Sequence, residues 1–78
     1  MALNSGDDGD RMREICTELE DVRHHIRGLE LQMRDARSTR NVGEFISLLD
    51  RRATYLEREA ELEKELETKF NFFYRRFL

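Results

Sequence analysis

Two kinds of side chain in this sequence are the usual starting points for metal or thiol chemistry: an adjacent histidine pair and one cysteine. His24 and His25 would point about 100° apart on a helix, so they are poorly placed to chelate one ion, although Asp21 and His25 share a helical face. Cys16 lies eight residues from His24, roughly 12 Å along a helix, which is too far for a cysteine–histidine pair. We therefore predict that these residues bind no metal and perform no catalysis.

Glutamate is abundant in the second half of the chain, with six residues between positions 57 and 67. General acid–base catalysis needs a carboxyl group with a shifted pKa in a cleft, whereas these side chains fall on the convex surface of a predicted helix. The sequence also lacks a glycine-rich phosphate-binding loop. We predict a protein that is not an enzyme and that needs no cofactor and no small-molecule substrate.

The C-terminal segment has the clearest potential for binding, because aromatic and basic side chains are mixed there. Four aromatic residues from Phe70 onwards have the i, i+3, i+4, i+7 spacing of one helical face, and no acidic residue follows Glu67. Aromatic residues and arginine are enriched at protein interfaces, whereas stacking on single-stranded nucleic acid or contact with a membrane surface is less favoured. The predicted partner-binding residues are Leu62, Leu66, Phe70, Phe73, Tyr74, Arg75, Arg76 and Phe77.

The elements that carry these side chains are indicated by apolar periodicity. In the first half of the chain, apolar residues recur at alternating spacings of three and four, at Met12, Ile15, Leu19, Val22, Ile26, Leu29, Met33 and Ala36. This spacing is the heptad seam of a coiled coil, and it predicts a helix over about 10–37 with Asp10 as its N-cap. Residues 1–9 are small, polar and acidic, and we predict that they form a disordered arm.

A break in this pattern places a loop at about 38–41 and a second helix at about 42–77. Asn41 and Glu44 have the spacing of a capping box. The apolar residues of the second helix cover a stripe about 200° wide, which exceeds what one neighbouring helix can cover. A loop this short favours antiparallel helices, and the predicted hairpin seam continues on the second helix through Leu49, Ala53, Leu56 and Ala60.

The two predicted helices differ in length, so helix 1 does not extend along all of helix 2. Helix 1 would cover helix 2 only as far as about Phe70, and the last roughly 13 Å of helix 2 would project beyond it. Burying one Phe is worth about 1.5–3 kcal/mol, so a chain this small is not expected to leave four aromatic rings in water. We expect an all-α fold, an antiparallel two-helix coiled-coil hairpin over residues 10–78 that dimerises into a four-helix bundle.

The composition limits the location and the partners. The chain has 78 residues, of which 40% are charged, and a formal net charge of -3. It has no apolar run that could span a membrane and its first ten residues do not resemble a secretory signal, so we predict a cytoplasmic location. The mixed charge pattern argues against a nucleic-acid surface.

These features predict a non-catalytic protein–protein interaction module. The self-associating hairpin would act as an adaptor, scaffold or oligomerisation element, with itself and one other protein as partners. The first alternative is a small chaperone that keeps a helical client soluble, similar in size and architecture alone to the needle-protein chaperones of type III secretion. The second alternative is an RNA-binding hairpin dimer, which would require a basic face on the bundle.

Overall fold

Two long α-helices make up the computed structural model: α1 (Leu3–Ser38) and α2 (Val42–Arg75). The structure describes the backbone of residues 3–75 and the side chains of residues 9–71. The helices lie side by side and antiparallel, with Arg11 of α1 near Glu65 of α2 and Glu30 near Arg52, in a rod 58 Å long and 17 Å wide. The predicted all-α helical hairpin is confirmed, and its dimerisation stays a prediction.

α1 turns its heptad seam towards α2. Seven of the eight seam positions predicted on α1 are buried, and Met12 is half-buried at the end of the row. Two apolar clusters form along this seam and meet at Tyr55, which packs against both. The buried residues of the core are Ile15, Leu19, Val22, Ile26, Leu29, Met33, Ala36, Leu48 and Leu62.

α2 meets α1 along a row of residues that the sequence analysis did not select. We call this row the inner seam; it has heptad spacing, Leu48 and Leu62 are buried in it, and its other members are half-buried. The inner seam consists of Phe45, Leu48, Arg52, Tyr55, Glu59, Leu62, Leu66 and Lys69. The prediction that Leu49, Ala53, Leu56 and Ala60 form the hairpin seam is therefore wrong, because all four residues are exposed.

Side-chain size and charge explain this orientation of α2. Each residue of the predicted row follows a residue of the inner seam by one position, so the two rows lie about 100° apart around the helix. The inner seam offers Phe, Leu and Tyr side chains, which bury more apolar surface than the two alanines of the predicted row. It also brings Glu59 to 3.0 Å from the Nε atom of Arg23, so this charged residue of the seam is paired.

The connection between the helices satisfies the main-chain groups that both helix ends leave open. Arg40 has a left-handed backbone with a φ of 58°, and the N–H groups of Asn41 and Arg40 donate to the carbonyl oxygens of Ala36 and Arg37. This is the Schellman arrangement of a helix C-terminus. The Oδ1 atom of Asn41 then accepts a hydrogen bond from the N–H of Glu44 at 3.2 Å, which confirms the predicted N-cap of α2.

The start of α1 differs from the prediction. The structure begins α1 at Leu3, whereas the sequence analysis placed the N-cap at Asp10 and a disordered arm before it. The Glu30–Arg52 contact aligns the two helices, and with this alignment α1 extends along α2 to the end of its described backbone. The described backbone therefore does not show the predicted overhang.

Candidate interaction surface

The residues first considered for chemistry, Cys16, His24 and His25, are exposed on α1. The His25 ring stacks on Tyr55 with centroids 5.1 Å apart, and its Nδ1 atom donates to the main-chain oxygen of Asp21 at 2.8 Å. Cys16 is exposed and is not disulfide-bonded. Within residues 9–71, no three His, Cys, Asp or Glu side chains converge to hold a metal ion.

α2 carries a second apolar row on the side that α1 does not cover. We call this row the outer stripe; its members follow heptad spacing and are Val42, Ile46, Leu49, Ala53, Leu56 and Ala60. The four large residues are between 38% (Leu56) and 66% (Val42) exposed, and both alanines are also exposed. The six consecutive heptad positions of the outer stripe carry no charge and form an apolar band about 27 Å long, on a chain of which 40% of the residues are charged. Such a band is typical of an interaction surface.

Ion pairs between the helices fix the orientation of the outer stripe. On the side of the hairpin that carries the stripe, Arg23 donates to Glu59 at 3.0 Å and to Glu63 at 2.8 Å. On the other side, Arg58 donates to Glu18 at 2.8 Å. Since a rotation of α2 would break pairs on both sides, the outer stripe is held away from α1.

Ion pairs between the helices shift the pKa values of Arg23, Arg58 and Glu65. The hydrogen bonds to Glu63 and Glu59 raise the pKa of Arg23, and the hydrogen bond to Glu18 raises that of Arg58. Two hydrogen bonds from Arg11, at 2.7 and 2.8 Å, lower the pKa of Glu65. The Glu65 carboxylate is therefore held ionised and in place beside Arg11, which suits a structural role.

The predicted partner-binding segment divides into three parts. Leu62 has no exposed surface and lies in the hairpin core, so its assignment to a partner surface is wrong. Leu66 is half-buried and packs against the cluster around Ile15, whereas Phe70 is 55% exposed and lies beside Met12. The assignments of Phe73, Tyr74, Arg75, Arg76 and Phe77 concern side chains outside the described residues.

The outer stripe was visible in the sequence but was interpreted differently. Its residues contributed to the 200° apolar width of α2, which predicted a second contact for this helix. The sequence analysis assigned the row to the hairpin and the second contact to the aromatic end. The signal that separates the two rows is charge, because Glu59 of the inner seam has Arg23 opposite it on α1.

Comparison with known proteins gives no relative from which a function could be transferred: no family model, no curated protein and no solved structure matches the chain. Neither helix, over its described length, is apolar and long enough to cross a membrane.

Proposed function

We propose that the hairpin is a non-catalytic interaction module that works by self-association, as an oligomerisation element, scaffold or adaptor. The observation that carries this proposal is the outer stripe, an uncharged heptad row on α2 that no described residue of the same chain covers. A heptad row of this kind packs against another helix through knobs-into-holes contacts. A second copy of the chain supplies such a helix.

The exposed area suggests an association of moderate strength. The exposed fractions of Val42, Ile46, Leu49 and Leu56 together correspond to about two complete aliphatic side chains per copy. Burying them in a dimer would contribute about 6–12 kcal/mol. Association itself costs about 4–15 kcal/mol, so we expect dissociation at micromolar concentrations or above and not at nanomolar ones.

The proposal is tested by measuring mass against concentration. Light scattering and sedimentation equilibrium should show the wild-type chain moving from 9.4 kDa to twice that mass as concentration rises. The double variant Leu49→Glu, Leu56→Glu should stay at one chain and keep its helical circular dichroism, because both residues are exposed in the hairpin. Leu31→Glu is the matched control, since Leu31 is 60% exposed on α1 and should leave the dimer unchanged.

Two results would contradict self-association. One is a wild-type chain that stays at 9.4 kDa up to millimolar concentration. The other is a dimer that both glutamate substitutions leave intact. The first result would favour the chaperone hypothesis, in which a helical client covers the outer stripe. An RNA-binding dimer would instead bind RNA with an affinity that falls steeply as salt rises.

A further inference from the structure

We infer that two copies pair through α2 in a parallel, in-register arrangement, with Arg52 of each copy facing Glu57 of the other and Glu59 facing Lys64 of the other. This inference deepens the proposed self-association and rests on it. Two features support it: the charges on the two flanks of the outer stripe and the position of α1 beside it.

The heptad positions of the outer stripe define the core and the flanks of the pair. Ile46, Ala53 and Ala60 occupy one of the two core positions of the heptad, conventionally called a. Val42, Leu49 and Leu56 occupy the other core position, called d. With one β-branched residue at a and leucine at two of the three d positions, these residue types are compatible with two strands but do not set their direction.

The flanking charges distinguish parallel from antiparallel pairing. Arg52 and Glu59 lie at the flanking position called g, and Glu57 and Lys64 lie at the opposite flank, called e. In a parallel pair, each g residue faces the e residue five positions later in the other copy. Both contacts then join opposite charges, Arg52 with Glu57 and Glu59 with Lys64.

An antiparallel pair centred on the same stripe has the opposite electrostatics. Equivalent flanks then face each other, so that Arg52 lies opposite Arg52 and Asp50 opposite Asp50 of the second copy. Like charges directly opposite each other are unfavourable, and both flanks of the antiparallel pair would contain them. The charge pattern therefore favours the parallel arrangement.

Glu57 and Lys64 are available for contacts across the dimer, whereas Glu59 and Arg52 would share their existing partners Arg23 and Glu30. Glu57 is exposed, and neither Glu57 nor Lys64 takes part in an ion pair among residues 9–71. The carboxylate nearest Arg52 belongs to Glu30, 3.6 Å from its Nη2 atom. The Nε atom of Arg52 is buried and has no hydrogen-bond partner in the described part of the chain. A second carboxylate beside this guanidinium would complete its pairing.

The position of α1 supports the same arrangement. Arg34 and Arg37 of α1 border the groove that Arg52 lines, on the side of the hairpin where the outer stripe lies. A parallel pair places the acidic flank of the second α2, with Asp50 and Glu57, over this basic side of α1. An antiparallel pair brings the basic sides of the two α1 helices towards each other, which is unfavourable.

The apolar contact of the parallel pair ends after Ala60. The stripe continues at Glu63 and Glu67, and an in-register dimer places each of these residues near its equivalent. Glu63 already accepts a hydrogen bond from Arg23 at 2.8 Å, which reduces the repulsion at that layer. The pairing surface is therefore residues 42–60.

Disulfide trapping tests the arrangement directly. With Cys16→Ser as the background, Val42→Cys and Ala60→Cys are prepared as separate chains, mixed and oxidised, and the products are identified by mass. Two cysteines can bridge only when their Cα atoms lie within about 7 Å. Parallel, in-register pairing predicts the two homodisulfides. A dominant mixed disulfide between positions 42 and 60 shows antiparallel pairing and overturns the inference.

Charge reversal tests the proposed ion pairs in solution. Glu57→Arg should raise the dimer dissociation constant roughly five- to thirty-fold, because both Arg52 contacts become repulsive. Asp35→Arg, the same charge change at an exposed residue of α1, is the control and should leave the constant within about twofold.

The outcomes separate this inference from the proposed function. If the wild-type chain stays monomeric at every concentration, self-association itself is wrong. If it dimerises but Glu57→Arg weakens the dimer no more than Asp35→Arg does, only the parallel arrangement with these ion pairs is wrong.

Discussion

Replacing Arg40 by glycine should stabilise the hairpin. Arg40 is the only residue other than glycine that adopts a positive φ in the described backbone, and its φ of 58° closes the Schellman turn after α1. An L-residue with a side chain pays roughly 1–2 kcal/mol in this left-handed region, and glycine does not. Glycine also makes the unfolded chain more flexible, which costs about 0.4–1 kcal/mol.

The net effect of Arg40→Gly is therefore a stabilisation of about 0.5–1 kcal/mol. For a domain of this size, that difference raises the melting temperature by roughly 2–8 °C. Circular dichroism at 222 nm, recorded during heating at one fixed protein concentration, measures the shift. A fixed concentration is needed because self-association would itself change the melting temperature.

The Arg40→Ala variant separates the backbone effect from the charge. It removes the guanidinium but keeps a Cβ atom in the left-handed region, so it should melt below Arg40→Gly by an amount that corresponds to about 1 kcal/mol. If alanine and glycine stabilise the chain equally, the cause is the charge and the reasoning from φ is refuted. A glycine variant that melts below the wild-type chain would refute it as well.

Three further changes test the core, the α1 surface and one ion pair. Leu62→Ala should cost about 2–5 kcal/mol in urea unfolding, whereas Leu56→Ala should leave the unfolding of the dilute monomer nearly unchanged. Gly28→Ala should raise the melting temperature by an amount equivalent to about 1 kcal/mol, because a Cβ atom there meets no atom within 4 Å. The Arg11 contact lowers the pKa of Glu65 from its ordinary value of 4.5. The stability that this ion pair contributes is therefore complete above pH 4.5 and is lost as the pH falls through the lowered pKa. The free energy of unfolding should therefore decrease more between pH 7 and pH 2 for the wild-type chain than for Glu65→Gln.

The local features of the hairpin could be predicted from sequence because each depends on neighbouring residues. The seam of α1 is unbroken and nearly all its flanks are polar, so only one face of that helix could be buried. The N-cap at Asn41 follows from its spacing to Glu44. The helix boundaries around the loop agree with the structure within about one residue.

The orientation of α2 could not be read from apolar periodicity alone. Both of its rows have heptad spacing, and the row chosen from the sequence is uncharged, whereas the inner seam contains Arg52, Glu59 and Lys69. A search for apolar residues therefore favours the wrong row. The choice depends on long-range pairs such as Arg23 with Glu59, which a pattern within one helix does not contain.

The start of α1 was missed for a different reason. Glycines and aspartates in the first ten residues suggest disorder by composition, but no proline interrupts the helix there. The predicted overhang followed from placing the start of α1 at Asp10. The outer stripe is the feature of the structure that supports self-association.

The charged residues of the inner seam also fix the axial register of the two helices. Glu59 faces Arg23 and Arg52 faces Glu30, and in each helix the two charged residues lie seven positions apart. If one helix slid past the other by a single heptad, the apolar side chains would again find apolar neighbours. Glu59 would then face Glu30 in one direction of sliding, and Arg52 would face Arg23 in the other. Charge thus removes the translational ambiguity of a repeating pattern, and a version with a longer connecting loop would keep the same alignment.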